Sequence, residues 1–342
     1  MITGHGDDIF NYPDIRINFS SNVYNHFNHG PLFAHLASRL SSISNYPEPS
    51  QVRVERMIAE KLAMSCQKVM VTSGATEAIY LTAMAFRGSR TEILSPTFSE
   101  YADACRIHGH SVSFVGRLAD INHQTEMVWL CNPNNPTGSV YNREELFSCI
   151  RRYPHTVYVI DASYSPFTFE PLITPSEAVS FSNVIMIHSM TKQYAVPGLR
   201  IGYITAPVAL LNRIRAFQTP WSVNSMAQEA ALYLLEHGDN YVLPVVELLR
   251  ERERLAQTLI RCEGVDVYPS HTHILLCRLH DGTAVELKRR LAQDYGILIR
   301  DASNFHGLTP AHFRIAVQDK EENDELMAAM HEIIHSSHVS TH

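Results

Sequence analysis

Three side chains close together in the sequence offer groups that a single ligand can use at once. Lys192 carries an amine that forms an imine with an aldehyde, while Ser189 and Arg200 can hold a phosphate through a hydroxyl and a bidentate guanidinium. The apolar run at 184–188 predicts a short buried strand that ends just before them. Because sites in open α/β sheets form beyond strand ends, this spacing favours a ligand with both an aldehyde and a phosphate.

Two further segments place polar side chains at the ends of predicted strands. Asp161 follows an apolar run, and a carboxylate buried there is costly unless a cation is its partner. The protonated ring nitrogen of pyridoxal phosphate is such a partner, and its protonation makes the ring an electron sink. Asn135 and Tyr164 can then hydrogen-bond the hydroxylate on the ring. Together these residues predict pyridoxal 5′-phosphate as the cofactor and Lys192 as the catalytic residue.

The segment 69–85 predicts a strand, a turn of small residues and a helix. The amino terminus of a helix binds anions through its free backbone N–H groups and the positive end of its dipole. We therefore expect the backbone of Ala75 and Thr76, with the Thr76 hydroxyl, to hold the cofactor phosphate opposite Arg200.

Taken one at a time, these motifs also allow plainer interpretations. Lys192 fits a solvated surface lysine, and the segment around Asn135 fits ordinary turn chemistry. Asp161 and the residues near Thr76 fit helix caps. The cofactor prediction depends on all of these segments occurring in one chain.

The order and content of these motifs resemble the fold type I pyridoxal-phosphate enzymes of the aminotransferase class I and II group, over nearly the whole chain. The resemblance implies a transferase-like α/β fold, with a large α/β domain around a mostly parallel sheet and a smaller α+β domain. Strands predicted near residues 127, 157, 185 and 201 alternate with helical segments, as such a sheet requires. The predicted division is an amino-terminal arm that packs on the small domain, a large cofactor-binding domain, a small carboxyl-terminal domain and a disordered tail, at residues 1–35, 36–223, 224–335 and 336–342.

The resemblance also implies cofactor contacts outside the first motifs. Phe98 matches the aromatic residue that stacks on the cofactor ring, and Tyr101 is the reserve choice. Either side chain also fits a place in the core, which is the commoner fate of an aromatic residue beside a helix start. Tyr46 matches the tyrosine that reaches the cofactor phosphate of a second subunit, so the resemblance implies a homodimer.

Arginines are expected to select the substrate, because a phosphorylated amino acid carries both a carboxylate and a phosphate. Arg314 matches the arginine of the family that binds the carboxylate, and Arg300 matches an arginine that binds the phosphate. The resemblance adds Asn135 from its turn, and Asn22 and His5 from the arm. For Asn22 and His5, an ordinary loop position is the alternative.

Within the group, the resemblance is greatest to the threonine-phosphate decarboxylases of cobalamin biosynthesis, on the segments 5–9, 220–224 and 297–304. It implies decarboxylation of L-threonine O-3-phosphate to (R)-1-aminopropan-2-ol O-2-phosphate. Transamination of histidinol phosphate or a related amino acid is the alternative, and a non-catalytic cofactor-binding protein is a second. Ala162 and Val23 depart from the glutamate and proline that are usual at these positions, both on the substrate side.

Composition limits the classes of partner. The net charge of −7, from 28 basic and 35 acidic residues, argues against nucleic acid. No apolar run approaches a membrane span, and the first residues lack the pattern of a secretory signal. The six cysteines form no C-x-x-C motif, which predicts reduced thiols in the cytoplasm. The histidine-rich end predicts a solvated terminus, and we expect no metal site.

Overall fold

A computed structural model describes residues 7–262 and 264–339 of the chain. Its strands are β1 Ile17–Asn18, β2 Val69–Thr72, β3 Arg90–Leu94, β4 Ser111–Val115, β5 Met127–Cys131, β6 Val157–Asp161, β7 Val184–Ser189, β8 Gly202–Thr205, β9 Val265–Val267, β10 Ile274–Leu279, β11 Ile297–Leu298, β12 Arg300–Asp301 and β13 His312–Ala316. Its α-helices are α1 Gly30–Ser38, α2 Val52–Lys61, α3 Gly74–Ala85, α4 Glu100–Ile107, α5 Arg143–Arg152, α6 Pro175–Ala178, α7 Met190–Tyr194, α8 Val208–Arg215, α9 Ser225–Glu236, α10 Val245–Arg261, α11 Ala284–Tyr295 and α12 Lys320–Val339. His5 and residues 340–342 lie outside these ranges, and so do the predictions made for them.

A seven-stranded sheet runs through the larger part of the described chain, in the order β2-β8-β7-β6-β5-β3-β4. All neighbouring strands are parallel except β8, which runs antiparallel to both β2 and β7. The central strands β5, β6 and β7 are apolar and buried along nearly their whole length, as expected for parallel strands covered on both faces. Asp161 and Ser189 end two of these strands at the same edge of the sheet. The predicted α/β fold with a mostly parallel sheet is confirmed.

A four-stranded antiparallel sheet, β12-β13-β10-β9, lies in the carboxyl-terminal part of the described chain. Its apolar face packs with α10, α11 and α12 in a second hydrophobic core, which includes Leu259, Leu291 and Met330. Strand β4 at the edge of the large sheet was not predicted, although serines that alternate with Val112 and Phe114 are typical of a half-buried strand.

The amino-terminal arm lies on this carboxyl-terminal part. Strand β1 pairs in parallel with β11, with Ile17 opposite Ile297. The Lys288 ammonium donates to both carboxylate oxygens of Asp8, at 2.7 and 2.6 Å, and the Lys288 side chain is almost fully buried. His26 also contacts Glu322 at 3.0 Å. These contacts hold the chain that leads into residues 20–22 of the candidate site.

Helix α9 packs on the large sheet, whereas a domain boundary at residue 224 would assign this helix to the small domain. Ala227, Ala230 and Leu234 share a hydrophobic cluster with residues of α1, α2 and β2, so α9 covers the large sheet. The change of core occurs inside the following helix α10, where Leu248 joins the large core and Leu259 joins the small one. The predicted boundary followed helix length, which carries no information on which sheet a helix covers.

The last helix reaches the end of the described residues. Helix α12 runs from Lys320 to Val339, and the disordered tail expected at residues 336–342 stays a prediction. The polar composition of this segment suggested fraying, yet no glycine or proline follows residue 320 to stop the helix. Although α12 has 20 residues, no helix in the described ranges is both long and apolar enough to cross a bilayer.

Candidate active site

A cavity of about 360 Å³ lies where the carboxyl ends of β5, β6 and β7 face the amino-terminal arm and β13. This is the edge of an open α/β sheet at which ligands bind in general. Most of the side chains singled out in the sequence line this one cavity. They are Asn22, Ala75, Thr76, Phe98, Asn135, Asp161, Tyr164, Ser189, Lys192, Arg200 and Arg314.

Lys192 enters the cavity from the first turn of α7, which begins directly after β7. Its ammonium donates to the backbone carbonyl of Ser21 at 2.6 Å, so the arm lies against the amine. Burial lowers the pKa of Lys192 to about 8, and the positive charge of Arg314 acts in the same direction. The carboxylates of Asp7 and Asp161 oppose this shift. A lysine with such a pKa is partly neutral near physiological pH and can act as a nucleophile.

Asp161 ends β6 and is almost completely buried, with 4% of its surface exposed. The Ser163 backbone N–H donates to Oδ1 at 2.9 Å, and the Tyr101 hydroxyl donates to Oδ2 at 2.7 Å. Burial raises the pKa of Asp161, while these donors and the charge of Lys192 act to lower it. A carboxylate in this position favours a cationic ligand group.

The far end of the cavity is suited to an anion. The first turn of α3 presents the backbone of Ala75 and Thr76, and Arg200 Nη2 donates to Thr76 Oγ1 at 3.4 Å. Gly74 has φ +76°, and a Cβ added there would lie 2.7 Å from Arg200 Nη2. A side chain at residue 74 would therefore displace the guanidinium, which explains why a glycine begins this helix.

A second group of polar residues lies on the side of the arm and β13. Arg314 is 3% exposed; its Nη1 donates to Asn135 Oδ1 at 2.6 Å, and its Nη2 donates to the Ser20 carbonyl. Burial lowers the pKa of Arg314 to about 9. Asn22 Nδ2 donates to the Tyr164 hydroxyl at 3.0 Å. This side can bind a carboxylate through a buried guanidinium and two amides.

Several polar atoms of the cavity lack partners among the described residues. Ser21 Oγ, Asn22 Oδ1, Thr191 Oγ1 and Arg314 Nε are buried and make no hydrogen bond there. Buried polar groups are almost always hydrogen-bonded in folded proteins. Their concentration in this cavity indicates that a polar ligand completes the site.

Two predicted residues lie away from the cavity lining. Tyr46 is 83% exposed and packs against Trp221, with 5.0 Å between the ring centroids. Arg300 is buried beneath the site in β12, directly across from Arg314 in β13, and its Nη2 donates to Asn304 Oδ1 at 2.7 Å. The roles of both residues stay predictions.

The sequence interpretation missed several residues that line the cavity: Asp7, Ser20, Ser21, Ile79, Cys131, Ser163, Thr191 and Pro197. Most of them adjoin a motif residue, so the signal was present in the neighbouring positions. Phe98 and Tyr101 both line the cavity, and their rings meet edge to face with 5.8 Å between the centroids. The hydroxyl of Tyr101 is directed at Asp161, which leaves stacking on a ligand to Phe98 as the prediction.

Comparison with known proteins identifies the family. Residues 14–330 match the aminotransferase class I and II family. A histidinol-phosphate aminotransferase of Caldanaerobacter subterraneus subsp. tengcongensis is 30% identical over 308 residues, with 85% of each chain covered. A putative threonine-phosphate decarboxylase of the same organism is 29% identical, over 95% of this chain and 92% of its own. The solved structure of an L-threonine-O-3-phosphate decarboxylase from Porphyromonas gingivalis is 39% identical with a TM-score of 0.91, covering 93% of this chain and 99% of that one.

The site and these comparisons agree. The cavity places a lysine amine, a buried carboxylate and an anion-binding helix terminus in positions that fit the aldehyde, ring nitrogen and phosphate of the predicted cofactor. The match extends over most of the chain and includes both ends of the cavity. The chain belongs to the aminotransferase class I and II family, whose cofactor is pyridoxal phosphate.

Proposed function

We propose that this protein is a pyridoxal-phosphate-dependent carboxy-lyase, which converts L-threonine O-3-phosphate to (R)-1-aminopropan-2-ol O-2-phosphate and carbon dioxide in cobalamin biosynthesis. The observation that carries the proposal is the pair of buried arginines, Arg300 and Arg314, which are cross-strand partners in β12 and β13. Arg314 lines the cavity, and Arg300 lies across the strand pair from it, near the carboxylates of Asp8 and Asp301. A ligand with two anionic groups would offset the repulsion between the two buried guanidiniums. A phosphorylated amino acid has such a pair of groups, and the 39% identity to a threonine-phosphate decarboxylase favours this substrate.

The residues of the cavity divide between cofactor and substrate. Ala75, Thr76, Ser189 and Arg200 would hold the cofactor phosphate, Asp161 the ring nitrogen, and Asn135 and Tyr164 the ring hydroxylate, with Phe98 against the ring. When bound, pyridoxal phosphate supplies an aldehyde for covalent attachment and an electron sink for the bond that breaks at the α-carbon of the substrate.

Four side chains of the cavity then divide three tasks during the reaction. Arg314 holds the substrate carboxylate through its buried guanidinium, and Asn22 and Ser21 close the cavity from the arm. After carbon dioxide leaves, Lys192 Nζ is placed to deliver a proton to the α-carbon. The direction in which Arg314 orients the carboxylate decides whether the bond to the carboxylate or the bond to hydrogen is the labile one.

Transamination is the second candidate, because a histidinol-phosphate aminotransferase is 30% identical to the chain. The deciding experiment incubates the holoenzyme with L-threonine O-3-phosphate and measures carbon dioxide and amine, with histidinol phosphate plus 2-oxoglutarate in parallel. Carbon dioxide release without a keto acid supports the decarboxylase. Glutamate formation without carbon dioxide establishes an aminotransferase, and turnover of neither substrate favours a non-catalytic cofactor-binding protein.

The role proposed for Arg300 predicts a selective loss. In an Arg300→Ala variant, kcat/KM for L-threonine O-3-phosphate is expected to fall about 10- to 100-fold, because a charge-assisted hydrogen bond of about 1.5 to 3 kcal/mol is lost. Activity on L-threonine, which lacks the phosphate, should change little. Arg278→Ala, on the exposed face of β10, is the control. Equal losses for both substrates would place Arg300 outside the phosphate site.

The lowered pKa of Lys192 predicts how the uptake of cofactor depends on pH. Only the neutral amine attacks an aldehyde, so the rate for the apoprotein should rise with pH toward about 8 and level off above it. An amine with the ordinary pKa of 10.5 keeps gaining reactivity beyond that point. Stopped-flow absorbance measures the rate, and division by the rate for a free lysine derivative removes the titration of the cofactor itself. A ratio that does not vary with pH would contradict the lowered pKa.

We further propose that the protein is a homodimer of the cytoplasm. Large apolar side chains are exposed on α1, on the segment that follows it and near Trp221: they are Phe33, Leu40, Ile43, Tyr46 and Trp221. Exposed apolar surface of this kind marks protein interfaces, and Tyr46 would then reach the site of the second subunit. All six cysteines are free thiols, which supports a reducing compartment. Light scattering after size-exclusion chromatography tests the dimer, and a monomer at micromolar concentration would contradict it.

A further inference from the structure

Tyr101 contacts the carboxylate that is placed for the cofactor ring nitrogen. Its hydroxyl donates to Asp161 Oδ2 at 2.7 Å, and the Ser163 backbone N–H donates to Oδ1 at 2.9 Å. Tyr101 is 0% exposed and Asp161 is 4% exposed. Each oxygen of the carboxylate therefore has at least one protein donor, and the lone pairs that remain are left for a ligand in the cavity.

The Tyr101 ring cannot easily turn away from this contact. It stacks on Trp129 with 5.4 Å between centroids and an interplanar angle of 20°, and it meets Phe98 edge to face. Both Tyr101 and Trp129 belong to the large hydrophobic core. The packing thus fixes the direction of the hydroxyl, which is the property required of a residue that positions another group.

The buried environment of Asp161 disfavours the ionised form of its carboxyl group. Burial raises the pKa of Asp161. Cys131 faces it from β5 and Tyr164 from the loop after β6, and neither supplies positive charge. The positive charge that acts on it comes from Lys192, which is itself held at a lowered pKa. The Tyr101 and Ser163 donors act to keep the carboxylate ionised. Burial raises the pKa of Tyr101 well above its ordinary value, so the phenol keeps its proton and acts as a donor.

We propose that Tyr101 is a positioning residue for the cofactor, whose hydroxyl keeps Asp161 ionised and aimed at the pyridinium nitrogen. The inference rests on pyridoxal phosphate as the cofactor and does not depend on which reaction the enzyme catalyses. It assigns to Tyr101 a role different from the stacking role considered from the sequence. It is tested by binding of the cofactor without any substrate, so its failure is distinguishable from failure of the proposed decarboxylation.

The test compares Tyr101→Phe with the unchanged protein by the Kd of pyridoxal phosphate, measured from quenching of protein fluorescence between about pH 6 and pH 9. At about pH 6 the Kd should rise about 10-fold, which corresponds to the loss of about one hydrogen bond to a charged group. The ratio of the two Kd values should fall as the pH rises, because Asp161 becomes ionised in both proteins and the loss of aim alone remains. A ratio that is constant over the whole range, or a Kd that does not change at any pH, would overturn the proposal.

Tyr80→Phe is the matched control. The Tyr80 hydroxyl donates to Glu100 Oε2 at 2.7 Å, so the variant loses the same kind of contact at the same distance, outside the cavity lining. Its Kd should match that of the unchanged protein at every pH. A loss equal to that of Tyr101→Phe would show a general effect of removing a phenol from this core and would overturn the specific role.

A double-mutant cycle shows whether Tyr101 acts through Asp161. In an Asp161→Asn background, which carries no charge to protect, adding Tyr101→Phe should leave the Kd unchanged within about twofold. A further 10-fold loss in that background would mean that Tyr101 acts on the cofactor by another route. Far-UV circular dichroism confirms folding of each variant, and the comparison within the Asp161→Asn background remains decisive if the single variant folds poorly.

Discussion

A Lys192→Ala variant is expected to lose the visible absorbance of the lysine-bound cofactor and to lose activity by a factor on the order of 10³ or more. Lys192 is the amine of the cavity, it donates to the Ser21 carbonyl, and its pKa of about 8 suits both covalent attachment and proton delivery. The measurement is an absorbance spectrum of the purified variant after loading with pyridoxal phosphate and dialysis, followed by the assay for carbon dioxide.

Lys320→Ala is the control for this variant, because Lys320 lies on the exposed surface of α12 in a pair with Asp324. Its spectrum and activity should be those of the unchanged protein. If the band of the Lys192→Ala variant survives dialysis, the cofactor is attached to another amine and the site assignment is wrong.

An Arg314→Gln variant is expected to lose about 100-fold or more in kcat/KM for L-threonine O-3-phosphate, mostly through KM. Arg314 is 3% exposed and its guanidinium donates to Asn135 and to the Ser20 carbonyl. Glutamine removes the buried charge and the two-pronged guanidinium, and its single amide cannot replace both contacts. Removing one member of a buried charged pair costs about 3 to 5 kcal/mol, and the substrate carboxylate is the proposed partner.

The amine product separates a carboxylate contact from general damage to the site. (R)-1-Aminopropan-2-ol O-2-phosphate lacks the carboxylate, so its inhibition constant should be nearly unchanged in Arg314→Gln. A comparable rise in the inhibition constant of the product would show that Arg314 serves the fold or the cofactor and not the carboxylate. Arg278→Gln, on the neighbouring strand β10 with an exposed side chain, controls for loss of charge.

The sequence predicted the parts of the site that depend on one segment at a time. Lys192, Asp161 and the first turn of α3 each follow a buried strand, and parallel strands bring their carboxyl ends to one edge of a sheet. The order of strands in the sheet, and the antiparallel β8 in particular, depends on contacts between distant segments, which periodicity does not report.

The role of Tyr101 shows a second limit of prediction from sequence. The family resemblance implied an aromatic ring at the cofactor, with Phe98 as the choice and Tyr101 in reserve, and both side chains line the cavity. The direction of the Tyr101 hydroxyl depends on packing against Trp129, which comes from another strand. Arg300 is a similar case, because its position across from Arg314 depends on how β12 pairs with β13.

The pairing of the arm with the carboxyl-terminal sheet has a consequence for synthesis of the chain. Arg314 binds the Ser20 carbonyl across 294 positions of sequence, so this part of the cavity joins segments made near the start and near the end of translation. A nascent chain that has passed β8 already contains Lys192, Asp161 and Arg200, yet it lacks β13. Because α9 covers the large sheet and is made after β8, and Arg314 comes later still, the cavity is complete only late in the synthesis of the chain.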